Sequence, residues 1–295
     1  MRSVRALKSR VRGWTQELWH HVHLWWTLLN VERRNPILVY QMGKVGSSTV
    51  VRTLERLDLD APVLHVHTLD PDHLQLAVRK ERASTRSHLP EHLIASSILV
   101  DRLEKRNFPC RVITLTREPV GRAISFAFED WKKKAPEAKK SGSSLDGRAM
   151  SEAVTQLLRP GSGHANPGQW FERELHNCLG IDVFAEPYDI ERGFSLVRNG
   201  PVTALVIRVE DLDRALTHGL AALLEMEISG GAIQRANTGR KKWYADALHS
   251  VKTSYRLPAG LAEFIFGTRY VNHFYGRELD RLRARWTKGL GADSV

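Results

Sequence analysis

The chain has 295 residues, 42% hydrophobic and 26% charged, the composition of a folded globular protein rather than a disordered or fibrous one. Its formal charge of +11 favours an anionic partner without choosing among nucleotide, nucleic acid, acidic glycan and membrane surface. Two distant cysteines, Cys110 and Cys178, argue against a disulfide framework or zinc site and fit a reducing, cytoplasmic compartment. No apolar window of about 18 residues is present for a membrane span.

Residues 1–35 form a basic, Trp-rich segment. Trp14, Trp19, Trp25 and Trp26 follow a run rich in Arg and Lys, and no compact apolar core or cleavage site of a signal peptide is visible. Such a segment suits an amphipathic helix lying on the inner, anionic face of a membrane, and equally a helix packed on the domain. His20, His21 and His23 are poorly spaced on a helix for joint metal ligation.

From residue 36 onward the apolar runs 37–40, 63–66 and 111–116 are each followed by turn residues and then by helical periodicity, the alternation of βαβ units around a parallel sheet. Short continuous Val/Ile/Leu runs predict strands covered on both faces, and ligands of such folds sit beyond the carboxyl ends of the strands. A Lys-, Ser- and Gly-rich stretch, Lys132 to Arg148, predicts a surface loop. Helices are expected near 149–158 and 167–178, a further buried strand at 202–212, and helical segments to the C-terminus. The expected architecture is a single α/β domain over 36–276 with a P-loop-type central parallel sheet flanked by helices, followed by a basic tail, 277–295.

The first strand ends in Met42-Gly43-Lys44-Val45-Gly46-Ser47-Ser48-Thr49, then apolar residues at helical spacing. Glycines allow a tight turn against a ligand, and the first amides of a helix point at an anion in the loop. Ser47, Ser48 and Thr49 add hydroxyl donors and Lys44 a mobile charge. The nucleoside-triphosphatase pattern, with lysine directly before Ser or Thr, is absent. The third strand ends in Arg117-Glu-Pro-Val-Gly-Arg-Ala-Ile-Ser125; Pro119 suits a first helical turn, and Gly121, Arg122 and Ser125 share one helix face.

Together, Lys44-x-Gly46-Ser47-Ser48 and Arg117-Glu-Pro-x-x-Arg-x-x-Ser125 resemble the two nucleotide-binding signatures of sulfotransferases that use 3′-phosphoadenosine 5′-phosphosulfate (PAPS). The resemblance implies that Lys44, Val45, Gly46, Ser47, Ser48 and Thr49 hold the 5′-phosphosulfate end, and that Arg117 and Ser125 hold the 3′-phosphate. The run 206–212 is similar to a late strand with an Arg-x-Glu-Asp-Leu motif in that superfamily. Residues 170–184, 237–248 and 270–276 resemble a bacterial branch of capsular polysaccharide synthesis proteins named for an Asn-Lys-Trp-Tyr-Ser string, here Lys241-Lys242-Trp243-Tyr244-Ala245. In related enzymes a late basic loop closes over the 3′-phosphate, which makes Arg240 and Lys242 candidates. Trp243 and Tyr244 suit ring stacking or helix core.

His65 and His67 fall on one side of the second strand, and His67, nearer its carboxyl end, is the expected base for the acceptor hydroxyl, with His65 as the alternative. Asp70-Pro71 reads as an N-cap and first helical residue. The implied activity is metal-free, in-line sulfuryl transfer from PAPS to a hydroxyl of a capsular or other glycan, with no nucleic-acid partner. The alternatives are a kinase-like P-loop enzyme and a non-enzymatic basic protein that binds anions or membranes.

Overall fold

The structure, a computed structural model, describes residues 34–83, 89–103, 109–134, 146–229, 231, 233 and 243–287. Strand β1 (Ile37–Tyr40) leads through the glycine loop to α1 (Ser47–Leu54), β2 (Val63–Val66), α2 (Pro71–Arg82), α3 (Glu91–Leu103), β3 (Cys110–Thr116) and α4 (Pro119–Lys134). Helix α5 (Gly147–Leu158) follows. Next comes α6, a helical stretch made of α-helical Gly168–Trp170, π-helical Phe171–His176 and α-helical Asn177–Leu179. Strands β4 (Phe194–Asn199) and β5 (Val202–Arg208) precede a 3-10 turn, Val209–Asp211, and helices α7 (Leu212–Leu224), α8 (Ala245–Ser254), α9 (Ala259–Phe266), α10 (Arg269–Tyr275) and α11 (Leu279–Thr287).

The strands form one five-stranded sheet in the order β2-β1-β3-β5-β4, flanked by helices. The mixed α/β architecture with a central sheet is as expected, with two differences. The sheet is not wholly parallel, because β4 pairs antiparallel with β5 through a tight turn in which Gly200 takes φ 51. The Asn199-Gly200-Pro201 turn between two apolar runs carries that hairpin signal. A second difference concerns β2. It is an edge strand whose exposure alternates, so its apolar run is covered on one face only, while β1 and most of β3 and β5 are buried throughout.

Register decides what meets at the strand ends. Tyr40 lies opposite Val66, so Gln41 and His67 leave the sheet side by side; Thr116 lies opposite Arg208, so Arg117 and Val209 do the same. Strand β3 runs beyond β1, since Val39 already pairs with Ile113, and this carries Arg117 up beside the glycine loop.

The core continues through α10 and α11, where Tyr270, Phe274, Tyr275 and Trp286 are almost fully buried. Arg208, 2% exposed, fastens this region to β5: its guanidinium donates to Asp211, to the Phe274 carbonyl at 2.9 Å and to Glu278 at 3.0 Å. Buried charge of this kind is tolerated because each guanidinium nitrogen donates a hydrogen bond and two of the three go to carboxylates. The span 277–295, set apart by sequence as a basic tail, thus contains a helix that closes the core as far as residue 287. Both cysteines are free.

Candidate active site

The glycine loop is shaped by two left-handed residues, Lys44 at φ 69 and Gly46 at φ 93. Gly46 is required here twice over, since a Cβ at this position would also lie 2.8 Å from the Val209 side chain. Gly43 is under neither constraint. Helix α1 starts with no side-chain cap and no acidic residue in its first turn, so its leading amides face the loop with their positive potential uncompensated. Ser47 and Ser48 are half-buried around it, whereas the side chains of Val45 and Thr49 turn into the core.

The β3–α4 junction closes on this loop. Arg117 donates from Nη1 to the Lys44 carbonyl at 3.0 Å, and Arg122 donates from Nε to the Gly43 carbonyl at 3.2 Å. Glu129, further along α4, pairs with Lys44 Nζ at 3.7 Å. Ser125 stands three residues after Arg122 and four before Glu129, and so occupies the same loop-facing stripe of the helix. Its hydroxyl is half-buried and makes no hydrogen bond to its own helix or to any other described residue. Glu118 does not pair with Arg117; it caps α4, accepting from the amides of Val120 at 3.0 Å and Gly121 at 2.6 Å. Tyr270 clamps the junction, its hydroxyl accepting from the Arg117 amide and donating to the Arg117 carbonyl.

The second-strand histidines lie on one face, with ring centroids 4.6 Å apart, and His92 of α3 stands 5.2 Å from His67. His67 Nδ1 lies 2.8 Å from the Gln41 carbonyl, an acceptor only, so Nδ1 carries the proton and Nε2 keeps its lone pair. Burial, and then the nearby Lys44 ammonium, push the His67 pKa down, while its bond to Gln41 acts in the opposite direction. His65 is pushed down to about 4, mainly by burial and then by His67, and its buried Nε2 has no partner. Both rings are therefore neutral near pH 7, and His67 is the one held in the tautomer of a base.

Glu174 holds this side of the site together from within the π-helical part of α6. Fully buried, it accepts from the Tyr40 hydroxyl at 2.6 Å, the Leu69 amide at 2.7 Å and the Thr68 hydroxyl at 2.9 Å. It thereby fixes the turn after His67, and Asp70 then caps α2 through the His73 amide. One carboxylate answering so many donors explains why an acid is buried there.

Several participants carry no sequence signal of their own. The Gln41 side chain is wholly buried between β1 and the loop, and neither its carbonyl oxygen nor its amide nitrogen has a hydrogen-bond partner. His164 gives its carbonyl to Arg122 at 3.4 Å and packs its ring 4.2 Å from Phe126. Among the expected residues, Lys44, Gly46, Ser47, Ser48, Arg117, Ser125 and His67 gather at adjoining strand ends. Arg240 and Lys242 lie outside the described residues, as do residues 1–33. Tyr244 is core, stacked 5.4 Å from Phe128, and Trp243 leans on Trp131 at 5.1 Å. Among the described residues no group of three or more His, Cys, Asp or Glu side chains could hold a metal ion, and no helix is long and apolar enough to cross a membrane.

Residues 163–276 match the family model described as "Putative capsular polysaccharide synthesis protein". The match takes in His164, Glu174, Arg208, Glu210 and Tyr270 and leaves out the glycine loop, the second strand and the Arg117–Ser125 helix. No curated protein and no solved structure matches the chain. Over residues 163–276, therefore, this α/β protein is similar to a family tied by its description to capsular polysaccharide synthesis.

Proposed function

We propose that the protein is a PAPS-dependent sulfotransferase that modifies a hydroxyl of a glycan. One observation carries the reading: the Arg117 guanidinium, at the end of β3, donates to the Lys44 carbonyl in a loop 73 residues earlier in the chain. This puts two donor sets within reach of one ligand with two anionic ends. The 5′-phosphosulfate rests on the loop amides, Ser47, Ser48 and Lys44, and the 3′-phosphate on Arg117 and Ser125.

In the transfer step the acceptor oxygen forms a bond to sulfur as the bond from sulfur to the donor's phosphate oxygen breaks. The acceptor proton passes to His67 Nε2, and the electron pair leaves with 3′-phosphoadenosine 5′-phosphate (PAP). Lys44 neutralises the charge that develops on the departing phosphate. The loop amides and Lys44 supply the positive charge, so the reading assigns no metal to the step. The family description over 163–276 supports a glycan as acceptor.

Calorimetric titration with PAP tests the reading. PAP binds the native chain with a defined stoichiometry, and Arg117→Ala weakens it by about 10- to 100-fold, the worth of a charge-assisted contact to phosphate. A steep salt dependence without preference for PAP over pyrophosphate or sulfate would instead mark a general anion-binding surface.

A further inference from the structure

A cavity of about 420 Å³ opens between the ends of β3 and β5 and helix α11, within the range of small-ligand sites. None of the glycine-loop residues lines it; Arg117 borders both places. Its walls come from chain regions separate in sequence, and the fully buried Trp286 is among the residues that line it. The Trp286 Nε1–H has no acceptor among the described residues. Indole nitrogen only donates, and native interiors rarely leave such a donor unanswered.

The charges around the cavity are divided. Arg208 is satisfied by Asp211, Glu278 and the Phe274 carbonyl. Arg281 has no ion pair among the described residues, and the Arg285 guanidinium stands over the Trp286 ring, 4.6 Å from its centroid. Lys252 also lines the cavity, and so do four carboxyl groups: Asp211 and Glu278 answer Arg208, which leaves Glu118 and Glu210. Glu118 receives the α4 amides, and Glu210 receives the Glu118 amide at 3.1 Å and the Tyr275 hydroxyl at 3.1 Å. Each carboxyl keeps lone pairs for further donors.

A ligand that answers both sets of groups bears one oxyanion for Arg281, Arg285 and the indole N–H, and neutral hydroxyl groups for Glu118 and Glu210. A nucleotide phosphate would set full negative charge against the two carboxyl groups, and an uncharged sugar would leave the guanidinium groups unanswered. We propose that this cavity binds a uronate residue of the acceptor glycan, its carboxylate on Arg281, Arg285 and Trp286 and its hydroxyls on Glu118 and Glu210. The inference rests on the glycan-transfer reading above and specifies its substrate class. Because Arg117 borders both cavity and loop, a uronate held here lies next to the donor.

The test is calorimetry on the full chain with three probes: trigalacturonate, the neutral maltotriose, and PAP. Trigalacturonate binds, and maltotriose binds at least about tenfold more weakly, as expected for one lost charge-assisted contact. The double substitution Arg281→Ala with Arg285→Ala reduces trigalacturonate affinity by about 10- to 100-fold and leaves PAP affinity unchanged. Trp286→Phe, which keeps the ring and removes the donor, reduces it several-fold, about the worth of one neutral hydrogen bond, with thermal melting confirming that the fold is kept. Equal binding of maltotriose, or trigalacturonate affinity indifferent to the arginine pair, overturns the proposal. Loss of PAP affinity in the arginine variant overturns it too, since the cavity would then belong to the donor. If the native chain takes trigalacturonate as described and does not bind PAP, the sulfuryl-transfer reading fails and the uronate site stands.

Discussion

At the scale of single residues, His67 and Lys44 carry the chemistry proposed. A positioned base is worth about 10²- to 10⁴-fold and a preorganised charge partner about 10²- to 10³-fold, so His67→Ala and Lys44→Ala each lower kcat by those factors without unfolding the protein. A base works only while neutral, so activity is lost as pH falls through its pKa. Burial holds His67 below the ordinary 6.5, and the acid limb of the rate profile therefore lies below that pH; a limb at or above it would assign the proton to another group. Gln41 poses a different test. Its buried amide has no partner among the described residues, so Gln41→Met, of similar volume, stabilises the fold by about 1–3 kcal/mol in urea denaturation. If the amide serves substrate, the same change lowers turnover; unchanged turnover would make it a structural residue alone. The contrast explains what the sequence disclosed. Arg117 was legible because it directly follows an apolar run, where a charged residue has little structural reason to be, and Lys44 because it stands between two glycines in the turn after one. His164 and Glu129 were not, because the contacts that bring them to the site reach Arg122, 42 residues away, and Lys44, 85 residues away; Gln41 was not, because a polar residue after a strand carries no mark of burial.

At the scale of elements, α4 turns the strand-end arginine into part of a site, and its cap is chemically unusual. Burial, and then the neighbouring Glu210, raise the Glu118 pKa from the ordinary 4.5 to about 7, while Arg117 and the Gly121 amide act in the opposite direction. The unfolded chain gives up this proton near 4.5 and the native protein near 7, so between those values the native state binds more protons and stability falls as pH rises. The loss is on the order of 3 kcal/mol. It is level below the lower value and above the upper one. Urea midpoints across that window should show a shallower fall in Glu118→Gln than in the native chain; identical slopes would mean that Glu118 is ionised throughout. Elements were legible where the local code is strong: Asp70-Pro71 opens α2, and Pro119 opens α4, as their residue types demand. Strand β4 had a hairpin turn to announce it, but its half-exposed sequence lacks the continuous apolar run of a doubly covered strand. The π-helical turn in α6 contains Glu174, whose partners Leu69 and Tyr40 lie about 100 residues or more away, a demand that local propensity does not contain.

At the scale of the whole molecule, both the proposed catalytic constellation and the neighbouring cavity depend on how the C-terminal helices close over the sheet. Leu279, Leu282 and Trp286 repeat at helical spacing, so a docking face on α11 was readable; the basic residues among them read as a solvated tail. What the sequence could not give was the partner for that face. Trp286 packs against Tyr255, with ring centroids 6.5 Å apart, and its carbonyl accepts from the Leu257 amide at 2.8 Å. Its neighbours along the chain reach Arg208 through Glu278 and Glu263 through Arg283, so α11 is tied to β5 and α9 together. Removing so large a buried side chain costs about 3–5 kcal/mol. Trp286→Ala should therefore shift the urea midpoint of the entire protein, with far-UV circular dichroism and intrinsic fluorescence still moving together as in one cooperative transition. If instead the change melts only a fraction of the helical signal and leaves the main midpoint in place, α11 is an independent appendage. The arginines on it could then not be held against the ends of β3 and β5 firmly enough to select a ligand.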